Sequence, residues 1–183
     1  MATRVKYSTY LLTTTTDLPA ALTREIGRIV VLYAAIEHTL SRIIYHLLRL
    51  SRQEGRLGVR EPRASDRFEL ICDLLELNNV TVKENLDDLD KAIKRCLSER
   101  DRLAHGIWTL HPKSARPYLR LTRGQWQPFP ERRGKIKRLL NPEGTPFTDV
   151  HGRELRQHLQ MTLTRIDHLA IELGMADEPP ASP

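Results

Sequence analysis

Cysteine is scarce in this chain, aromatic residues make up only 5% of it, and no long apolar run is free of charge. Each shortage excludes something. Cys72 and Cys96 fall at apolar-face positions of predicted helices, with no His or carboxylate at ligand spacing. Two reduced core thiols are therefore expected, with no metal site and no cofactor. The most apolar stretch, IGRIVVLYAAIEHTLSRIIYHLL, carries Arg28, Glu37, His38, Arg42 and His46, which excludes a spanning helix. The first residues, MATRVKYSTYLLTTTTDLP, lack the continuous apolar core of a signal peptide, so a cytoplasmic protein is expected.

What is present is enough for one globular domain. The chain has 183 residues, 40% of them hydrophobic, and a net charge of +6 that favours anionic partners without naming one. Proline marks the organisation. Between residues 18 and 111 only Pro19 and Pro62 occur, whereas Pro112, Pro117, Pro128, Pro130, Pro142 and Pro146 crowd the segment that follows. Helices belong before about 107 and after about 147, with an irregular or short-stranded insert between them.

Periodicity supplies four main helices. The first is expected from Asp17, as N-cap, to about Leu50. Its stripe is Ile26, Val30, Tyr33, Glu37, Leu40, Ile44 and Leu47, with a second stripe of Ile29, Ile36 and Ile43 alongside, so that two faces can be covered, one of them by a subunit contact. After a loop, SRQEGRLGVREPRASD, a second helix is expected from Asp66, burying Phe68, Ile71, Cys72 and Leu75. A third opens at TVKE, with Thr81 and Glu84 as a capping box, and carries Leu86, Leu89, Ile93, Leu97, Arg100 and Ala104 on one face. A fourth runs from Asp149 to Leu173 with Gly174 at its end. Short alternation in IWTLHP and PYLRLT predicts a small hairpin. The expected fold is all-α: an up-and-down bundle of four main helices in a single domain, residues 1–175. The β-hairpin or irregular insert spans about 107–147, and residues 176–183 form a disordered tail.

The stretch SERDRLAHGIW, residues 98 to 108, ends the third helix. It contains an Arg-x4-His pair, Arg100 and His105. With this many arginines and seven histidines, about one such pair is expected by chance, and the chain holds a second, Arg153 and His158. Context separates them. Arg153 lies among polar residues, whereas Arg100 is in register with an apolar stripe, where a guanidinium is costly unless it is paired or opens onto a cleft. Asp101 precedes His105 by one turn and can orient its imidazole. Glu37, in the stripe of the first helix, is a natural partner for Arg100 if the two helices pack together. A plainer alternative stays open. Arg100, Arg102 and His105 complement the dipole at a helix C-terminus, Gly106 caps it, and Trp108 enters the core.

ERDRLAHG resembles the signature of the HEPN superfamily (higher eukaryotes and prokaryotes nucleotide-binding): an arginine, a polar residue and a histidine late in a helix of an all-α bundle. It is particularly similar to the ERNxLAHG form, with Asp101 in place of the common Asn. The internal Glu of the first helix (AAIEHTL), the Gly-Trp exit, the insert and the final helix agree with that layout. The resemblance implies a metal-independent endoribonuclease, acting as a toxin, in antiviral defence or in RNA processing. Its catalytic residues would be Arg100, Asp101 and His105, supported by Glu37 and Arg102. It also implies a homodimer whose two motifs line one cleft, and a possible antitoxin or other partner protein. Other members of the family have lost catalysis and act as RNA-binding or dimerisation modules. For RNA contact, the insert supplies nine basic residues between Lys113 and Arg138, with aromatics interleaved. Arg116, Arg120, Arg123, Trp126, Arg132 and Arg133 are the candidates for phosphate contact and base stacking.

Overall fold

The computed structural model describes residues 17–58, 63–110, 117–120, 125–128, 137–140 and 145–175. Among them are five helices: α1 (Ala20–Leu47), α2 (Arg52–Gly58), α3 (Ala64–Leu77), α4 (Leu86–His105) and α5 (Asp149–Glu172). The described body is therefore helical, and no helix in it is long and apolar enough to cross a membrane. The expected tail and most of the expected insert lie outside the described residues.

The long helices start where local chemistry, not the first polar residue, dictates. α1 begins after Pro19, not at Asp17, because proline's fixed φ of −52° presets the helical turn and its carbonyl accepts from Thr23 N at 3.0 Å. α3 begins at Ala64, ahead of Asp66. The TVKE box is not used. Glu84 instead accepts from Arg165 of α5 at 2.6 Å, a charge-assisted bond that outcompetes a cap. Asn85 caps α4 in its place, accepting from Asp88 N at 3.1 Å, with Asp87 and Asp88 in the first turn favouring the positive end of the helix dipole. α5 opens on a box formed by Thr148 and His151. It closes on Gly174, whose φ of 77° lets Gly174 N and Met175 N reach back to Ile171 O and Ala170 O.

α1 packs along α5 and α3, and α4 packs on the same two helices. The shared core is built from Leu22, Ile29, Ile36, Leu40 and Ile43 of α1, Phe68 and Ile71 of α3, Leu89 and Ile93 of α4, and Leu159, Ile166 and Leu169 of α5. On α1 the isoleucine line, Ile29, Ile36 and Ile43, is wholly buried, and of the other stripe Tyr33, Leu40 and Ile44 are buried too, while Val30 and its neighbour Val31 are exposed. The stretch expected to be loop contains α2, seated on Tyr45 through Gly55, where a Cβ would run into the ring.

Short strands follow α4. β1 (Ile107–Leu110) pairs antiparallel with β2 (Pro117–Arg120), which also pairs with β5 (Thr145–Pro146). β3 (Gln125–Pro128) pairs with β4 (Lys137–Leu140). Phe147, just after β5, is buried and meets Trp108 of β1 edge-on, with centroids 5.7 Å apart at 82°.

Candidate functional site

The C-terminal turns of α4 place the sequence motif. Leu89, Ile93, Cys96 and Leu103 face the core, while Leu86, Leu97 and Arg100 lie along its half-buried margin and Ala104 is exposed. Arg100 is thus at the edge of the apolar face and not within it, which removes most of the desolvation cost that its register implied. Its side chain keeps 38% of its exposure yet is held on two sides. Nη1 donates to Asp101 Oδ1 at 2.9 Å, and Cζ lies 5.0 Å from the centroid of the Tyr33 ring.

The ion pair expected between Arg100 and Glu37 is not formed. A carboxylate one residue away satisfies the guanidinium without bridging two helices, and the Tyr33 ring supplies the second attraction. Asp101, expected to orient His105, accepts this bond from Arg100. Glu37 still belongs to the same locale, because it acts on the hydroxyl of Tyr33. That hydroxyl is buried without a hydrogen-bond partner, and its pKa is pushed up to about 12. Burial is the largest cause. The Glu37 and Asp101 carboxylates add to it, while the positive charges of Arg100 and Arg67 oppose it.

His105 is the last residue of α4 and is exposed. Gly106 caps the helix, its N–H donating to Arg102 O at 3.0 Å, but in an extended conformation (φ −77°) that any residue could adopt. Arg102 points elsewhere. It donates to Glu99 at 3.4 Å and sits 5.9 Å from the Phe147 ring, lining a second cleft with Arg95, His151, Glu154 and His158. Of the proposed catalytic and supporting residues, Arg100, Asp101 and Glu37 share the surroundings of Tyr33, and Arg102 does not. Arg116, Arg123, Arg132 and Arg133 lie outside the described residues, as do the side chains of Arg120 and Trp126.

Two residues of this locale escape a reading from sequence. Tyr33 reads as an ordinary core position, although it sits one turn before Glu37. Arg67 is buried, with 7% of its surface exposed, and donates to the main-chain carbonyl of Glu37 at 3.1 Å. The signal that could have found it is its register with Ile71 and Leu74, at i+4 and i+7 on the inner face of α3.

Cys72 and Cys96 are free, and burial pushes both thiols up. Cys96 Sγ donates to Thr162 Oγ1 at 3.5 Å inside the α4–α5 contact. Among the described residues no group of three or more His, Cys, Asp or Glu is arranged to hold a metal ion. Comparison with protein-family models, curated proteins and solved structures finds no match to the chain.

Proposed function

We propose that the chain is a metal-independent endoribonuclease of HEPN type, with Arg100 and His105 at its centre. The observation that carries this reading is the state of Arg100, a guanidinium half open to solvent yet fixed by Asp101 and the Tyr33 ring. Such a group is pre-oriented for the charge that develops on a phosphorane, and it loses little freedom when the phosphate arrives. His105 follows five residues on, about 7.5 Å along the helix axis. An imidazole is the side chain chemically suited both to take a proton and to give one. The 2′-hydroxyl loses its proton to a base and attacks the adjacent phosphorus. The bond to the 5′-oxygen then breaks, and an acid returns a proton to that leaving oxygen. One histidine serves one of these roles, so a homodimer apposing two motifs supplies both.

In this reading α1, α3, α4 and α5 are the main helices of an up-and-down bundle, and residues 107–147 form the hairpin-bearing insert that contacts RNA. In the same reading the protein acts in the cytoplasm as a toxin or defence component, with an antitoxin or other protein as a candidate partner. Cleavage of mixed-sequence RNA in EDTA tests the reading. His105→Ala should lower the rate by about 10²–10⁴, and unchanged cleavage overturns it. One observation favours a second reading, a non-catalytic HEPN-like module that binds RNA or a protein: Asp101 accepts from Arg100, a pairing that serves the fold as well as it would serve catalysis. If neither protein cuts but the wild type shifts RNA in a gel, that module is the answer.

A further inference from the structure

Arg67 is a buried cation with no carboxylate partner among the described residues, its guanidinium donating to the Glu37 carbonyl at 3.1 Å. A guanidinium so placed costs stability unless something anionic reaches it. Arg67 lines a half-open cleft of about 220 Å³ between α1, α2 and the first turn of α3, where Arg42, Arg52 and Arg56 also converge. None of these three makes an ion pair with a described residue. Glu54, the carboxylate of α2, is occupied by Ser51, whose N–H it accepts at 2.8 Å. Glu37 is the one carboxylate among the described lining residues, against four guanidinium groups.

The arrangement is built rather than incidental. α2 approaches α1 closely because Gly55 lies against the Tyr45 ring without a side chain. That contact brings Arg52, one turn before Gly55, and Arg56, the next residue, to the cleft that Arg67 lines. The cleft is smaller than the roughly 300–1,000 Å³ of pockets that enclose a whole cofactor. It is sized for a phosphate group, which guanidinium forks recognise by paired hydrogen bonds.

We propose that this cleft is a phosphate-binding site, for either the backbone phosphate of a nucleic-acid strand or a free pyrophosphate-like anion. It lies beside the Arg100 locale, since Glu37 and Arg67 line the cleft and also act on the Tyr33 hydroxyl. A strand bridging the two would be held in the cleft and cut at the motif. That bridging rests on the ribonuclease reading, whereas the phosphate site itself does not.

The test uses the full chain and two probes, a labelled 2′-O-methyl oligouridine, which lacks the attacking hydroxyl, and inorganic pyrophosphate. Arg52→Gln/Arg56→Gln changes exposed side chains and should leave the fold intact, while Arg67→Met removes the buried charge at similar volume. For the oligonucleotide, both variants should weaken binding, and the double variant should lower the salt slope of log K by about 0.7 for each phosphate no longer neutralised. For pyrophosphate, the rise in melting temperature that ligand binding gives the wild type should vanish in both variants. Dependence seen with both probes or with the oligonucleotide assigns the site to a strand, and with pyrophosphate alone to a free anion. If Arg52→Gln/Arg56→Gln keeps wild-type behaviour toward both probes, the site is overturned. Cleavage that persists alongside such a result leaves the ribonuclease reading standing, and binding without cleavage leaves the phosphate site standing alone.

Discussion

The guanidinium carbon of Arg100 lies 5.0 Å from the centroid of the Tyr33 ring, which ties the end of α4 to the middle of α1 through a cation and a π face. The ring makes this tie and the hydroxyl does not, because the hydroxyl is buried without a partner. Tyr33→Phe should therefore leave the stability measured in urea unchanged or raise it by up to about 1 kcal/mol, since it deletes an unsatisfied polar atom. Tyr33→Ala should cost about 3–5 kcal/mol through the cavity it opens. The hydroxyl also carries a pH signature. Its folded pKa of about 12 stands above the ordinary 10.0, so the stability linked to it is complete below pH 10 and is lost as the pH rises toward 12. Tyrosinate absorbance should show one group titrating late in the native protein, and Tyr33→Phe should remove that group.

How far this locale could be read from sequence depends on what periodicity can rank. It finds helices well: α5 begins at Asp149 as the pattern predicts, and Arg100 is legible as a charge beside an apolar stripe. It does not choose between adjacent apolar faces. On α1 the line through Ile26, Val30, Tyr33, Glu37, Leu40, Ile44 and Leu47 and the line through Ile29, Ile36 and Ile43 are equally periodic, and packing against both α3 and α5 buries all of the second but only Tyr33, Leu40 and Ile44 of the first. Partners chosen across space are less legible still. Glu37 and Arg100 share a neighbourhood, but a local carboxylate and an aromatic ring satisfy the arginine first. α2 is hidden because Gly55 reads as a loop residue, whereas its missing side chain is what lets the helix close on Tyr45.

Glu25 predicts the acid limb of the stability curve. It is buried on α1, accepts from Arg28 Nη1 and Arg156 Nε, each at 2.9 Å, and faces Gly152 of α5. Burial pushes its carboxyl upward, but the bonds and charges of Arg156 and Arg28 together outweigh it and hold the pKa below the ordinary 4.5. A depressed carboxylate pKa contributes stability that is present above pH 4.5 and lost as the pH falls through the folded value. Urea midpoints measured across that range should fall in the wild type and fall less steeply in Glu25→Gln. Equal slopes would show that the two arginines do not act on Glu25.

His158 predicts a separate step at higher pH. It is half-buried in the second cleft, its Nε2 is buried without a partner, and burial followed by the charge of Arg95 holds its pKa below 6.5. The folded state thus prefers the neutral imidazole. The linked stability is complete above pH 6.5 and is lost as the pH falls through the folded pKa. His158→Gln should flatten the midpoint just below pH 6.5 while leaving the steeper loss below pH 4.5 that belongs to Glu25. A single step moved by both variants would mean that the two groups are coupled.

The two Arg-x4-His pairs of the chain give the ribonuclease reading its internal control. Arg153 donates to Asp149 at 2.7 Å on the exposed side of α5, an i,i+4 surface pair that contributes about 0.3–0.5 kcal/mol. Arg153→Gln should therefore change stability by no more than that and leave RNA cleavage as it is. Arg100→Lys keeps the positive charge but loses the planar fork and the face that stacks on Tyr33. With the fold retained, it should lower cleavage by about 10²–10³, the loss typical of one misplaced electrostatic stabiliser. Equal losses from the two variants would mean that net positive charge, and not the geometry at Tyr33, governs the reaction, and the motif would then be no more than the spacing that chance supplies.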